Sequence, residues 1–198
     1  MGTPHKSIRV FENPILERFT HVHPLTPLVL WTPIIAWLLW HSVRVLEFGW
    51  LELLGFAVAG LFTWTLTEYL VHRFIFHMKT GTAFRKRLQF LMHGLHHADP
   101  TDPTRLVMPP MAAMILAGVL FLFFRTVLGG QAVQPFFAFF LIGYLCYDYI
   151  HCAIHSLNPR FSIGKSLKRH HMLHHYVNAA SRWGVSSPLW DHVFDTLD

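Results

Sequence analysis

Cysteine is nearly absent from this chain: there are two, Cys146 and Cys152. Both sit in or beside an apolar run, and two such residues build no disulfide framework, so the fold has to be held by packing. Charge is scarce as well, with Asp, Glu, Lys and Arg making up only 14% of residues. That is too little for an ordinary soluble domain. There is no low-complexity tract and no solenoid-type repeat. Residues 1–20 carry Lys6, Arg9, Glu12, Glu17 and Arg18 without an apolar core between them, which excludes a cleavable signal peptide. No helix-turn-helix pattern or aromatic-interleaved basic segment is present, so the net charge of +5 does not point to nucleic acid.

Apolar sequence is abundant, at 53% of residues. A spanning helix needs about 20 mainly apolar residues, and four runs qualify, at about 25–45, 50–70, 110–128 and 135–155. The first carries Pro24, Pro27 and Pro33 near its start, Pro109-Pro110 opens the third, and Gly129-Gly130 closes it. Short connections after the first and third spans make two helical hairpins. The expected architecture is one all-α integral membrane domain over residues 1–198, with a helical cap formed by the His-rich parts 72–105 and 156–198. With four spans, both termini and the central loop share one face. Fourteen of the sixteen Lys and Arg lie on that face, and only Arg44 and Arg125 on the other. The positive-inside rule makes the basic face, and so the cap, cytoplasmic.

Ten of the sixteen histidines form four clusters on the same face. They are His72 and His77; His93, His96 and His97; His151 and His155; and His171, His174 and His175. Imidazole is the commonest side-chain ligand for transition metals. Residues three or four apart share a helix face, so His151 pairs with His155, His93 with His96 and His97, and His171 with His174 and His175. His72 and His77 stand roughly 140° apart on a regular helix, so they either reach two ions or straddle a helix break. Ten imidazoles exceed the positions around one ion, and a dinuclear centre is the natural reading. Each hairpin is followed by one His-x2-His-His motif, a rough twofold logic. Phe84, Leu88, Leu91 and Leu95 recur at helical spacing among basic residues, which predicts an interfacial helix over 84–97; a second is predicted over 167–175. Glu68, one turn before His72, and Asp148, three residues before His151, are placed to accept the second ring N–H of a ligand, with Asp191 a weaker candidate. The isolated His5, His21, His23, His41 and His192 read as surface or capping residues, and His170 falls outside the motif register.

These residues resemble a known family. Glu68-Tyr69-Leu70-Val71-His72-Arg73-Phe74-Ile75-Phe76-His77, His93-Gly94-Leu95-His96-His97 and Arg105-Leu106-Val107-Met108-Pro109-Pro110 are similar to the fatty acid 2-hydroxylases, within the fatty acid hydroxylase and sterol desaturase superfamily. Tyr147-Asp148-Tyr149-Ile150-His151, the run from His171 to Tyr176, Gly184-Val185-Ser186 and Trp190-Asp191-His192-Val193-Phe194 agree. The histidine pattern reaches only the superfamily; the Arg-Leu-Val-Met-Pro-Pro run and the Trp-Asp-x-Val-Phe ending narrow it.

The resemblance implies a multi-pass enzyme of the endoplasmic reticulum or the bacterial cytoplasmic membrane. All ten clustered histidines would ligate two metal ions, iron in the active form, although zinc can occupy such sites. The reaction implied is O2-dependent hydroxylation at C2 of a long acyl chain, free or in a ceramide. An unactivated C–H bond offers no acidic proton to a side-chain base, so such chemistry belongs to a cofactor while the protein orients and excludes water. Arg105 is a guess for the substrate's head group. Several eukaryotic relatives carry an N-terminal cytochrome b5 domain with a His-Pro-Gly-Gly motif. Here His23-Pro24 is followed by Leu25-Thr26 close before the first span, so the expected electron source is a separate donor of cytochrome b5 or ferredoxin type. Trp183, where the family often has Phe, and Asp195, where it often has Gly, leave the histidines intact but bear on substrate identity. Two alternatives stand beside this reading. One is another superfamily oxygenase, a sterol, sphingoid-base or carotenoid hydroxylase or desaturase. The other is a membrane metal carrier or haem protein, whose ligands would be expected along the spans near mid-membrane rather than at one face.

Overall fold

A computed structural model describes residues 6–198, so His5 lies outside the described residues. The fold is all helical among these residues. A short helix α1 (Pro14–Arg18) is capped by Asn13, whose side chain accepts the amides of Ile15 and Leu16. Four long helices follow: α2 (Thr26–Arg44), α3 (Trp50–Val71), α6 (Pro110–Leu128) and α7 (Val133–Ser156). All four are long and apolar enough to cross a membrane, as befits a multi-pass membrane protein. Their ends follow local chemistry. Pro110 starts α6, where a missing N–H costs nothing. Gly129 ends it at φ 84°, a conformation that disfavours any side chain. The carboxylate of Glu52 accepts the Gly49 amide at 2.8 Å and caps α3.

Between the hairpins, α4 (Ala83–Gln89) runs through a π-helical turn (Phe90–Gly94) into α5 (Leu95–Ala98). After α7 come α8 (Ser162–Tyr176) and the short α9 (Leu189–Val193). The span boundaries agree with the sequence reading to within about two residues, with one correction. The second span does not stop near residue 70 but continues through a π-helical turn, His72–Phe76, so His72 belongs to the span itself. The first interfacial helix is interrupted by a π turn rather than regular, and the second starts at Ser162, five residues earlier than predicted. The reason for the latter is that Arg160–Ser166 carry little apolar periodicity.

The bundle is organised around α7. Over half of its apolar window, 56%, is buried within the protein, against 6% for α6 and 11% for α3, so α7 is the hub that the other spans surround. Small residues let it approach α3. A Cβ on Gly60 would stand 2.6 Å from the Phe136 carbonyl, and one on Gly143 would stand 2.6 Å from the Trp64 side chain. Where lipid is as apolar as the helix surface, such close backbone contact is what holds spans together. Trp64 then packs edge-on against Phe140 and Tyr144 at 5.1 and 5.3 Å. Gly143→Val would force this seam apart. The expected loss is about 1–3 kcal/mol, as for other overpacked cores, read as a lowered thermal unfolding midpoint in detergent.

Candidate metal centre

The ten clustered histidines converge beneath the spans as two groups of five, each able to hold one ion. One group is His72, His77, His93, His97 and His174; the other is His96, His151, His155, His171 and His175. The division follows one rule. Within each His-x2-His-His motif the first and last residues, a turn apart, enter one group, and the middle residue enters the other. His93 and His97 therefore part from His96, while His171 and His175 part from His174. The sequence reading paired His93 with both neighbours and His171 with both of its own; the structure keeps only the i, i+4 pairs together. Two motifs thus interlock, each lending one imidazole to the other's group.

The pair five residues apart is reconciled by the backbone. His77 donates its amide to the His72 carbonyl at 3.1 Å, an i→i+5 bond that closes the π turn. The extra residue rotates His77 back toward His72, and both rings enter the same group, their centroids 5.1 Å apart. Of the two possibilities left open by spacing, the helix break is the one adopted.

Geometry tests whether a metal fits. His151 donates its Nδ1–H to the Leu106 carbonyl at 2.9 Å. His72 donates its own to Trp183 and His174 to Ser181, both at 2.6 Å. A carbonyl can only accept, so these contacts fix the tautomer and leave Nε2 as a bare lone pair. Those lone pairs face other imidazoles: His72 Nε2 is 3.1 Å from His93 Nε2, and His151 Nε2 is 3.0 Å from His96 Nε2. Further Nε2–Nε2 separations in both groups are 3.0–3.2 Å. Two donors at right angles around an ion, each about 2.1 Å from it, stand about 3.0 Å apart, whereas tetrahedral donors stand about 3.4 Å apart. Five nitrogens with 3.0–3.2 Å edges suit a five- or six-coordinate cation and repel one another without one.

Burial keeps these rings neutral and so ready to bind. It is the largest cause holding His77 and His97 down at about 3 and His174 at about 4, with neighbouring imidazoles adding to it. His93, His96 and His171 are lowered further for the same reasons.

The carboxylates act one step further out than the sequence reading expected. Glu68 is not the partner of the His72 ring N–H, which goes to Trp183. It accepts the amides of Val185 and Ser186 at 2.6 and 2.8 Å and the Ser186 hydroxyl. Asp191 accepts the amides of Trp183 and Gly184, both at 2.8 Å, and the Thr196 hydroxyl. Together they clamp the 181–186 loop, whose carbonyls at Ser181 and Trp183 orient His174 and His72. The loop also depends on Gly184, where a Cβ would meet the Ser187 carbonyl at 2.1 Å. Asp191 does bond an imidazole, that of His170 at 3.0 Å, which belongs to neither group. Burial would raise the Asp191 carboxyl, but His170 and the loop donors outweigh it and hold it below its usual range. Asp148 lies near His151 without bonding it, and its Oδ2 has no partner among the described residues. In all three cases a neutral carbonyl serves the ligand's ring N–H, which needs only one acceptor. Backbone carbonyls leave no mark in sequence, which is why they were missed.

Arg105, the guessed head-group residue, is largely committed to structure. Its Nη2 donates to Glu17 at 3.1 Å, Thr20 at 3.2 Å and His21 at 3.3 Å, tying α1 to the loop before α6. Its Nη1 has no such partner, and the residue lines a small polar cavity of about 30 Å³ with His93, His96, Asp148 and His151. His21, read as a surface residue, is part of this tie through Thr104 at 2.7 Å.

A second cavity, of about 30 Å³, lies among α2, α3, α6 and α7 and is almost wholly apolar. Phe76, Met108 and Tyr147 line both cavities and form the neck between them. Phe76 stacks on His93 at 5.0 Å and Tyr147 on His151 at 5.9 Å, so each wall of the neck rests on a different histidine group.

Four apolar helices with ten imidazoles converging at one end of the bundle define a membrane protein with a candidate two-ion centre. Comparison with known proteins gives the class its name. Residues 57–196 match the fatty acid hydroxylase family, and the chain belongs to that family. It is 34% identical to the fatty acid 2-hydroxylase of Rattus norvegicus over 97% of this chain and 57% of that protein. The chain thus spans somewhat over half the length of that relative. It is also 34% identical to the dihydroceramide fatty acyl 2-hydroxylase FAH2 of Arabidopsis thaliana, over 96% of this chain and 79% of the relative. The solved structure of scs7p, with only its hydroxylase domain visible, superposes with a TM-score of 0.89 at 33% identity, covering 96% of this chain and 72% of that one.

Two outcomes are expected. His151→Ala takes one of five nitrogens from one group and none from the other, so metal analysis should show the bound content falling from about two ions toward about one. The second concerns acid. Unfolded imidazoles titrate near 6.5, whereas His77, His97 and His174 in the metal-free fold titrate near 3 to 4. The unfolded chain therefore binds more protons in between, and stability is lost as pH falls below about 6.5. The unfolding midpoint of the metal-free protein should drop between about pH 7 and about pH 5.

Proposed function

We propose that this chain is an O2-dependent hydroxylase that acts at C2 of a long fatty acyl group, free or in the amide linkage of a ceramide. One observation carries the reading: an apolar cavity between the spans meets, at Phe76, Met108 and Tyr147, a polar cavity lined by histidines of both groups. An acyl chain lying there would bring only its first carbons to the neck, which favours reaction beside the carboxyl end over reaction along the chain.

All ten histidines are assigned as ligands of two ions, iron in the working enzyme, with zinc able to take the same nitrogens. When bound, the ions supply the activation of O2 that side chains cannot. In the overall reaction one oxygen atom enters the C–H bond and the other leaves as water, with two electrons and two protons consumed. The residues of the chain position and exclude. Phe76, Met108 and Tyr147 close the neck around the acyl chain and keep bulk water from the centre. Glu68 and Asp191 hold the loop that fixes His72 and His174. Arg105 is assigned to the polar end of the substrate through its unpartnered Nη1, and Asp148, with a free carboxylate oxygen in the same polar cavity, is placed to hold a proton there.

Residues 1–198 act as one unit in this reading, embedded in the endoplasmic reticulum or a bacterial cytoplasmic membrane with the histidine cap on the cytoplasmic side. The excess of Lys and Arg at that end supports the orientation. Electrons come from a separate cytochrome b5- or ferredoxin-type donor.

Lipid mass spectrometry on cells with and without this chain, with an electron donor supplied, tests the proposal. Acyl species hydroxylated at C2 should rise several-fold with the chain. Unchanged levels in cells that contain metal-loaded protein would overturn it.

A further inference from the structure

The two histidine groups lean on different loops. In the group of His72, His77, His93, His97 and His174, two rings give their Nδ1–H to the 181–186 loop, at Trp183 and Ser181. In the other group His151 gives its own to Leu106 at 2.9 Å. The buried Nδ1 atoms of His96, His171 and His175 have no such partner among the described residues. A hydrogen bond at one ring nitrogen fixes the direction in which the other points. Through His151, the position of the Leu106 carbonyl therefore bears on the second group and not on the first.

Leu106 lies in a non-helical stretch, residues 99–109, whose course is set by a closed ring of side chains. Thr104 donates its amide and its hydroxyl to Asp102 Oδ1 at 2.9 and 2.7 Å. With that hydrogen spent, the Thr104 oxygen can only accept from His21 Nδ1, 2.7 Å away. His21 thus offers its bare Nε2 to Arg105 Nη2 at 3.3 Å. Arg105 closes the ring as an ion pair, its Nε 3.7 Å from Asp102 Oδ2. From outside the ring, Glu17 of α1 holds Arg105 at 3.1 Å, and the Val22 amide donates to the Thr104 carbonyl at 2.8 Å. No donor faces a donor anywhere in this circuit. Asp102 and Arg105 are buried, so a member left without its partner finds no water to replace it cheaply. The same N-terminal segment also braces α7, where Tyr149, two residues before His151, donates its hydroxyl to the Pro24 carbonyl at 2.8 Å.

We propose that Thr104, at the junction of this ring, is a positioning residue for one ion only, the ion held by His96, His151, His155, His171 and His175. This rests on the two-ion assignment above. Thr104 acts through the Leu106 carbonyl on His151, and Glu17 and His21 extend its reach to α1. Among the described residues the ring makes no hydrogen bond to the 181–186 loop, which serves the other group. The N-terminal segment and the central loop thus set how firmly one ion is kept, independently of its neighbour.

The test is the release of each ion. The full chain in lipid nanodiscs is loaded with cobalt(II) and challenged with excess chelator, and the loss of bound metal is followed by absorbance. Thr104→Val keeps the shape of the residue but removes the hydroxyl that Asp102 and His21 share; Thr104→Ser restores it. Removing a group that orients a ligand costs roughly tenfold or more in metal affinity. Thr104→Val should therefore release one ion roughly tenfold faster and the other at the wild-type rate, with wild-type release regained in Thr104→Ser. Glu17→Gln, at the edge of the ring, should speed the same ion by a smaller factor. Ligand-deleted backgrounds identify that ion. In His77→Ala the better-held ion sits in the second group, and adding Thr104→Val should speed its release. In His155→Ala the better-held ion sits in the first group, and adding Thr104→Val should leave its release unchanged. Equal acceleration of both ions, no acceleration in Thr104→Val and Glu17→Gln, or the reverse pattern in the two backgrounds would refute the proposal. A wild-type chain that never holds two ions would instead sink the two-ion assignment.

Discussion

Everything at the cap of this protein depends on making bare imidazole lone pairs face one another. Three of the clustered rings spend their Nδ1–H on backbone carbonyls, which leaves Nε2 nitrogens 3.0–3.2 Å apart across each group. Such an array is repulsive until a cation stands between the donors. The protein must therefore supply from its scaffold the free energy to hold the rings in place. This explains why the supports are so rigid: a hub helix packed on close-approach glycines, two buried carboxylates, and a loop with no room for a side chain at Gly184.

The carboxylates show how that rigidity is transmitted. Placed directly on the ligands, Glu68 and Asp191 would set negative charge against rings that must stay neutral and metal-ready. Placed behind the loop, they satisfy its amides instead. The loop then presents neutral carbonyls to His72 and His174. The interlocking of the two motifs adds a second constraint, since His96 and His174 each cross to the other group, and neither group can form without both cap helices.

The cavities divide the remaining work. Polar atoms gather on the cap side, around Arg105 and Asp148, while the other side is almost wholly apolar. A chain with a polar end and a long hydrocarbon tail is the molecule that such a division sorts. Phe76 and Tyr147 couple the two sides, because each lines the neck and stacks on a histidine.

Much of this was legible in the sequence because membrane helices write their own length. Four apolar runs gave the spans nearly to the residue, and the histidine spacing gave all ten members of the two groups. Spacing also raised the right question about His72 and His77, whose separation fits no regular helix. It could not answer it, because a π turn is a backbone adjustment that only the surrounding packing stabilises. Nor could it divide His93 from His96 or His171 from His174, since i, i+3 and i, i+4 neighbours are equally near on an isolated helix. The sequence by itself determined the four long apolar helices and the ten clustered histidines, because these follow from local hydrophobicity and residue type. Only the tertiary structure decided which imidazoles gather in which group and which carbonyls orient them. Those depend on contacts between residues more than a hundred positions apart, such as His72 with Trp183 and Glu68 with Ser186.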